Sequence, residues 1–419
     1  MTSHDPRPDG HPPLPEQANP SWMGHVPEQN YRPAPANYAG RPQATLPPAI
    51  PAPSSRRRRG RRSAGGGLGL FVAGAVLVFA DLFLVLTFVL ANTGVAGFAI
   101  GFVASLLPLG SVLLAVYVID RWEPEPKRLL LFAFVWGAVV SVALTLLLQP
   151  PFSLAAGPAS GLDEQTFSET LAAPVVEEFA KSLGLLLLLL FARKHFDGPV
   201  AGVVFAFTVA GGFAFTENVL YFGRAFSGSG NPATNVAVVF LGRGVMSPFA
   251  HAIFTASTGV VLGFAARRGS TGLCLLAFIA GLVPAVLLHS SFNTVSQDFP
   301  ARYIFVQVPI FVAAVLVIVL LRRAQNRLTR QRLQEYAAAG WFTSAEVQML
   351  GTGRGRSWAL LWARSIGRGP QMKAFLRAAT RLAFTRQRIL SGRDVPAQQL
   401  DEKHQLAKVA ALRDAVLRR

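Results

Sequence analysis

Two adjacent glutamates and a lysine lie inside a strongly apolar stretch of this sequence. Glu177 and Glu178 are followed closely by Lys181, with alanine, valine, phenylalanine and leucine on either side. Adjacent residues of a helix point in different directions, whereas residues three or four apart share a face, so Lys181 can reach either glutamate. An ionisable side chain at the centre of a bilayer costs about 2.5–3.5 kcal/mol, which makes these three residues candidates for function.

Three further apolar stretches carry polar side chains that could act with this pair. They are Glu217 beside Asn218, His251, and His289 with Asn293 one turn later. A carboxylate can act as a general base, an imidazole as an acid, a base or a metal ligand, and an amide or a lysine as an oxyanion donor. Hydrolysis of a peptide bond fits this set of groups.

The positions of these residues within their stretches predict that they meet. Counted from the outer end of each predicted span, the glutamates and histidines lie about four to eight residues deep, and a helix rises about 1.5 Å per residue. They therefore fall within a layer of roughly 6 Å in the outer leaflet. Four helices are predicted to converge on one polar plane.

The composition of the chain indicates that these polar residues belong to a membrane protein. Of the 419 residues, 51% are hydrophobic and only 15% charged, and the mean hydropathy is +0.39. These values exclude an ordinary soluble enzyme. A bilayer takes about 20 apolar residues per helix. We predict an all-α polytopic membrane protein, a bundle of about eight transmembrane helices at roughly 68–91, 96–119, 129–149, 169–191, 199–222, 245–265, 271–293 and 303–321.

Basic residues predict which ends of these helices are cytoplasmic. If the N-terminus is inside, the inner links hold nine lysines and arginines, whereas the outer links hold only Arg224, Arg243 and Arg302. Short cytoplasmic loops collect such residues. We predict a multi-pass protein of the cell membrane with both termini in the cytoplasm.

The two ends of the chain differ from its apolar core, residues 65–321. Residues 1–64 are rich in proline and end in a cluster of six arginines, which predicts a disordered cytoplasmic segment. Residues 322–419 hold 20 Lys+Arg against 6 Asp+Glu, which predicts a basic, largely helical cytoplasmic tail. Residues 357–390 have the spacing of an amphipathic helix. We favour attraction to anionic lipid, with a small helical regulatory domain second and nucleic acid, which we do not expect, third.

Other hydrolytic and nucleotide-binding chemistries lack their motifs. The sequence has no Gly-x-Ser-x-Gly, no His-Glu-x-x-His and no phosphate-binding loop. The single cysteine, Cys274, lies in an apolar run and excludes an internal disulfide.

The motifs together resemble the PrsW-type intramembrane proteases, within the wider group of CAAX-type and bacteriocin-processing membrane proteases. The inner loop Asp-Arg-Trp-Glu-Pro-Glu-Pro at 120–126 leads into Trp-Gly-Ala at 136–138. The motifs Pro-x-x-Glu-Glu-x-x-Lys at 174–181 and Phe-x-x-x-Glu-Asn at 213–218 follow, and then His251 and His-x-x-x-Asn at 289–293. The resemblance covers about residues 68–321. We interpret Trp122 in the inner loop as a membrane-interface anchor.

The resemblance implies cleavage of a single-pass membrane protein near the outer face, in some family members an anti-sigma factor. Glu177 and Glu178 would be the catalytic pair beside Lys181, with Glu217 and His251 as their partners and His289 and Asn293 as oxyanion donors or ligands. If zinc is bound, we expect its ligands among Glu178, Glu217, His251 and His289. A glutamate-activated water without a metal is equally open.

Two other classes of protein also place carboxylates and histidines inside a bundle. The main alternative is a proton-coupled secondary transporter or channel, and a nonenzymatic scaffold is a third class. Transporters usually contain two related halves, whereas the Glu-Glu-x-x-Lys and His-x-x-x-Asn spans have no counterpart elsewhere in this sequence. The sequence therefore favours the enzyme.

Overall fold

The described part of the computed structural model is built from helices. It comprises residues 64–196, 198–267, 271–296, 303–391 and 395–417, and no strand occurs among them. The predicted disorder of residues 1–63 and the arginine cluster at 56–62 lie outside the described residues. The prediction of an all-α protein is confirmed for the described part of the chain.

Fourteen α-helices follow one another in the described residues. They are α1 (Ala64–Asp120), α2 (Lys127–Val135), α3 (Val142–Ser160), α4 (Glu164–Phe167), α5 (Ala173–Phe191), α6 (Pro199–Ser227), α7 (Pro232–Val239), α8 (Ala250–Ala266), α9 (Thr271–Ser296), α10 (Val308–Ala338), α11 (Ser344–Leu350), α12 (Gly353–Ser365), α13 (Gly369–Leu390) and α14 (Val395–Leu417). Short π-helical segments, Trp136–Ser141, Ser168–Ala172, Phe240–Met246 and Tyr303–Gln307, lead into α3, α5, α8 and α10.

Six of the described helices are long and apolar enough to cross a membrane, some of them running through a π-helical segment. They are Gly74–Asp120, Lys127–Ser160, Pro199–Ser227, Pro232–Ala266, Thr271–Thr294 and Tyr303–Ala338. The first contains a non-helical residue, Gly94, with φ 65° and ψ 173°. Helix α5 is not among the six, because three of its 19 residues are charged. The chain is a multi-pass membrane protein.

Helix α6 forms the centre of the membrane part. In its most apolar window 78% of the residues are buried, against 56% or less in each of the other five helices. It packs mainly against α1 and α8. Because Glu217 lies on α6 and His251 on α8, the packing of these two helices fixes how two of the predicted site residues meet.

Glycines allow the backbones of α6 and α8 to touch. A Cβ atom on Gly202 of α6 would overlap the carbonyl of Gly259 on α8, and a Cβ on Gly259 would overlap the carbonyl of Gly202. Small residues permit such close approach, which drives helix association in lipid through packing. Gly110 in α1 offers a contrast, since a Cβ there would meet no atom within 4 Å.

The tail forms a helical unit with its own core. Leu333 of α10, Leu350 of α11, Met372 and Leu382 of α13 and Val409 of α14 are buried in one cluster. Helix α10 runs unbroken from the membrane into this unit, so the boundary predicted between residues 321 and 322 falls inside a helix.

The apolar face of residues 357–390 is largely used inside this cluster. Ala359, Ala363, Phe375, Leu376 and Ala379 are all buried there. A buried face is not free to insert into a lipid surface, so the structure favours the helical-domain alternative over a free amphipathic helix. Attraction of the basic tail to anionic lipid stays a prediction based on charge alone.

Trp122 joins the inner loop to the tail. Its indole packs against the tail cluster, and the Arg356 guanidinium lies 5.7 Å from its ring centroid. Gln325 of α10 donates to the neighbouring Glu123 carboxylate (3.0 Å). Burial lowers the pKa of Arg356 to about 10. The interpretation of Trp122 as a membrane-interface anchor did not include this contact with the tail.

We predict opposite effects of the same substitution at two helical glycines. Gly202→Ala should lower the free energy of unfolding by about 1–3 kcal/mol, because the new Cβ overlaps the backbone of α8. Gly110→Ala should leave it unchanged or raise it by up to about 1 kcal/mol, because alanine restricts the unfolded chain without a clash. Thermal unfolding of both variants in detergent measures the difference, and equal shifts would contradict the close α6–α8 contact.

Candidate active site

Glu178 is fully buried in the site and has three side-chain partners. Its Oε1 accepts from Lys181 Nζ at 2.6 Å and lies 3.2 Å from His289 Nδ1. Its Oε2 accepts from the Thr255 hydroxyl at 2.8 Å. The side chain has no solvent exposure. Glu178 therefore ties α5 to both α8 and α9.

The Glu177 side chain leaves the same helix in a different direction and is more exposed than that of Glu178. Its Oε2 lies 3.3 Å from Lys181 Nζ and 3.9 Å from His289 Nε2. Its side chain keeps 10% of its surface exposed, whereas that of Glu178 keeps none. Of the two glutamates, Glu177 is thus the one whose carboxylate can reach a water molecule or a substrate.

Glu217 and His251 form a second pair, contributed by α6 and α8. His251 Nε2 lies 2.8 Å from Glu217 Oε2. The same carboxylate oxygen accepts from Arg243 Nη2 at 2.7 Å, and Arg243 Nε donates to the side-chain oxygen Oδ1 of Asn218 at 3.0 Å.

Lys181 connects the two pairs. Its Nζ lies 3.2 Å from His251 Nδ1, in addition to its contacts with both glutamates of α5. The Phe213 ring lies beneath this ammonium, with Nζ 4.2 Å from the ring centroid. An ammonium can only donate, so His251 Nδ1 accepts and its proton sits on Nε2, where it is donated to Glu217.

Six of the seven predicted site residues belong to this network. They are Glu177, Glu178, Lys181, Glu217, His251 and His289. The seventh, Asn293, lies one turn beyond His289, and its side-chain amide donates to the carbonyl of Glu169 at 2.7 Å. That contact joins α9 to the π-helical segment leading into α5.

Two further residues of the network were not predicted as part of the site. Thr255 was visible in the sequence one turn after His251, but nothing there indicated that it bonds Glu178. Arg243 was counted only as a basic residue of an outer link. Its position in the apolar segment Phe240–Met246 was the available signal, because an arginine among such residues needs a partner.

Glu177, His251 and His289 each offer one ligand atom, and these three atoms lie within 4.8 Å of one another. Two imidazoles and a carboxylate are a common ligand set for catalytic zinc. Glu178 and Glu217, which we expected among the ligands, are not in this trio. Each of them instead bonds one of the two histidines.

The surroundings of the trio also suit a cation. Metal-binding histidines usually donate their other ring nitrogen to a carboxylate, which orients the ring. A His289 Nδ1–H that donates to Glu178 leaves Nε2 unprotonated on the side of Glu177. Three carboxylates, Glu177, Glu178 and Glu217, face only two basic side chains here, Lys181 and Arg243. His289 and the surplus of carboxylates therefore fit a divalent metal, whereas His251 would bind it through Nδ1 only in place of its contact with Lys181.

The fold and this site define a class of protein: a multi-pass helical membrane protein with a buried glutamate, lysine and histidine network. The family model described as PrsW family intramembrane metalloprotease matches residues 125–321. Residues 68–124, which we included in the resemblance, lie outside that range.

Curated relatives agree with the family model. The protease PrsW of Clostridioides difficile (strain 630) is 32% identical over 196 residues, 45% of this chain and 76% of that protein. The protease PrsW of Geobacillus kaustophilus (strain HTA426) is 26% identical over 162 residues, 38% and 63% of the two chains. That of Bacillus subtilis (strain 168) is 24% identical over 216 residues, 50% and 88%. No solved structure shows significant similarity.

The chain belongs to the PrsW family of intramembrane metalloproteases. It is a hydrolase, an intramembrane protease, and the resemblance inferred from its motifs is confirmed.

Proposed function

We propose that this protein hydrolyses a peptide bond of a single-pass membrane protein near the outer leaflet, with Glu177 accepting the proton of the attacking water. The observation that carries this proposal is the asymmetry of the two glutamates. Glu178 is fully enclosed by three partners, whereas Glu177 keeps an exposed edge beside His289. A general base needs that access to the proton it removes.

The remaining residues divide into two groups in this proposal. Lys181 offsets the negative charges of Glu177 and Glu178, which otherwise repel each other inside the membrane. Glu178 and Glu217 orient His289 and His251. Asn293 holds α9 against the entry to α5 and is a positioning residue, in place of the oxyanion donor suggested by the resemblance.

His251 and His289 would hold a zinc ion, and Glu177, the third member of the trio, would remain the base, because a carboxylate bound to the metal is not free to accept a proton. Zinc supplies a water ligand of lowered pKa and polarises a carbonyl group. The Lys181 ammonium lies 3.3 Å from Glu177 and 3.2 Å from His251, so it would repel a cation bound beside them.

The substrate class is proposed from the position of the site in the bundle. Glu177 lies at the fifth position of α5, and His251 at the second position of α8, so both follow closely on the start of their helices. In the proposed topology these starts face outwards. A substrate with one membrane span, such as an anti-sigma factor, would present its outer end at that level.

We propose eight membrane spans, with both termini of the chain in the cytoplasm. The chain reverses at Gly94, because Val85 before it and Gly101 after it both approach Val219 of α6. Helix α1 then supplies two spans. Helix α5 supplies another, because its charged residues face protein partners and not lipid. The remaining five long helices complete the set of eight.

Reporter fusions test this topology. A reporter fused after Gly161 should be outside the cell, and one fused after His195 should be inside, because α5 lies between them. A fusion after Leu350 in the tail is the control for a cytoplasmic position. If the fusions after Gly161 and His195 report the same side, α5 does not cross the membrane and the proposed depth of the site is wrong.

The two glutamates should respond differently to the same change. In liposomes with a single-pass substrate, Glu177→Gln should lower the cleavage rate by about 10²–10⁴-fold while the protein unfolds at an unchanged or higher temperature. Glu178→Gln should also lower the rate, but with a loss of stability of about 3 kcal/mol, because it leaves a buried lysine without its nearest carboxylate. Rates, melting temperatures and metal content are measured on the same samples.

Glu164→Gln is the matched control, since this glutamate is exposed in the outer link. It should leave both rate and stability unchanged. A Glu177→Gln variant that cleaves within about threefold of the wild-type rate would overturn the assignment of the base. If the wild-type protein cleaves none of the single-pass substrates, the proposed substrate class is wrong.

A further inference from the structure

Arg243 reaches the site from a π-helical turn. The segment Phe240–Met246 lies between α7 and α8 and follows the wider π-helical path. Such turns are rare and frequently occur at functional sites. The turn is closed at its end by Ser247, whose backbone N–H and hydroxyl both donate to the Gly242 carbonyl at 3.0 and 2.7 Å.

Three groups of α6 fix the Arg243 guanidinium. Glu217 Oε2 accepts from Nη2 at 2.7 Å, and Asn218 Oδ1 accepts from Nε at 3.0 Å. The Tyr221 ring lies against the guanidinium, whose Cζ is 3.9 Å from the ring centroid. A planar guanidinium that donates to two side chains and stacks on an aromatic ring is held in one orientation. A lysine ammonium could not make the same set of contacts.

Glu217 connects Arg243 to His251. The carboxylate oxygen that accepts from Arg243 is the same oxygen that lies 2.8 Å from His251 Nε2. His251 in turn presents Nδ1 to Lys181 at 3.2 Å. Without Arg243, Glu217 would lose its nearest positive charge and be free to turn away from the imidazole. The three side chains therefore form a hydrogen-bonded series that begins at Arg243, passes through Glu217 and ends at His251.

We propose that Arg243 is a positioning residue for the peptidase reaction, acting through Glu217 to fix the orientation of the His251 ring. This inference rests on the proposed function, because it assumes that His251 works beside Glu177. It adds a fifth helical segment, the π-helical turn before α8, to the four helices that carry the site. It also assigns Asn218 and Tyr221 the role of holding that arginine.

Kinetics of Arg243 variants in liposomes test the proposal. Arg243→Gln should lower kcat by about 10–100-fold, the usual effect of losing a group that orients a ligand or catalytic histidine, with KM within about twofold. Arg243→Lys keeps the positive charge but cannot donate to Glu217 and Asn218 from a rigid guanidinium. Its kcat should therefore lie between those of Arg243→Gln and the wild type. A purely structural role would predict that the loss of kcat in each variant follows that variant's loss of stability.

Arg224→Gln is the matched control. Arg224 also lies at the outer end of the bundle, donates to the side chain of Asn92 at 2.5 Å and sits 6.0 Å from the centroid of the Phe88 ring. Neither Asn92 nor Phe88 belongs to the site. Its loss should leave kcat unchanged.

A double-mutant cycle with Glu217→Gln decides whether Arg243 acts through Glu217. If it does, adding Arg243→Gln to Glu217→Gln should lower kcat by no more than about threefold further. Independent losses that multiply would overturn the proposal, and so would a wild-type kcat in Arg243→Gln. If Glu177→Gln also retains full activity, the proposed function itself fails. If Glu177→Gln is inactive, only the role of Arg243 is wrong.

Discussion

The structure depends on one buried interaction, the contact of the Lys181 ammonium with the two glutamates that precede it on α5. Lys181 has no exposed side-chain surface, and it lies 2.6 Å from Glu178 and 3.3 Å from Glu177. Each of these charges alone would be costly inside a membrane. Together they form a compact group that needs further partners, and α6, α8 and α9 provide them.

This requirement explains the packing around the site. Thr255 and His289 complete the hydrogen bonds of Glu178, while His251 and Glu217 extend the network from Lys181 to Arg243. Such a network can form only if the helices approach closely, and Gly202 and Gly259 allow that approach between α6 and α8. The apolar packing and the polar network are therefore two consequences of the same close approach.

Much of the site could be predicted from the sequence because charged residues in an apolar span are rare. The spacing of Glu177, Glu178 and Lys181 was sufficient to predict one helical group, and the position of His251 and His289 in their spans was sufficient to bring them to it. The separate roles of Glu177 and Glu178 could not be predicted. They depend on which side chain faces Thr255 and His289, and neighbouring helices decide that.

Other features were hidden for equally physical reasons. Arg243 joins the site through a π-helical turn, and apart from this arginine the sequence of the turn does not differ from that of an ordinary α-helix in lipid. The tail shows the opposite problem, because apolar residues at helical spacing can face either lipid or a protein core. Its buried cluster and the contact with Trp122 depend on helices that are distant in sequence.

The central claim is that Lys181 balances two carboxylates inside the membrane part. The direct measurement is the free energy of unfolding, in lipid nanodiscs, of Lys181→Met and of the triple variant Glu177→Gln/Glu178→Gln/Lys181→Met. Lys181→Met should lose about 3–5 kcal/mol, because it leaves two buried glutamates without their counter-charge. The triple variant should regain most of this loss, because no charge remains among the three. A Lys181→Met protein as stable as the wild type, or a triple variant no more stable than Lys181→Met, would contradict the account.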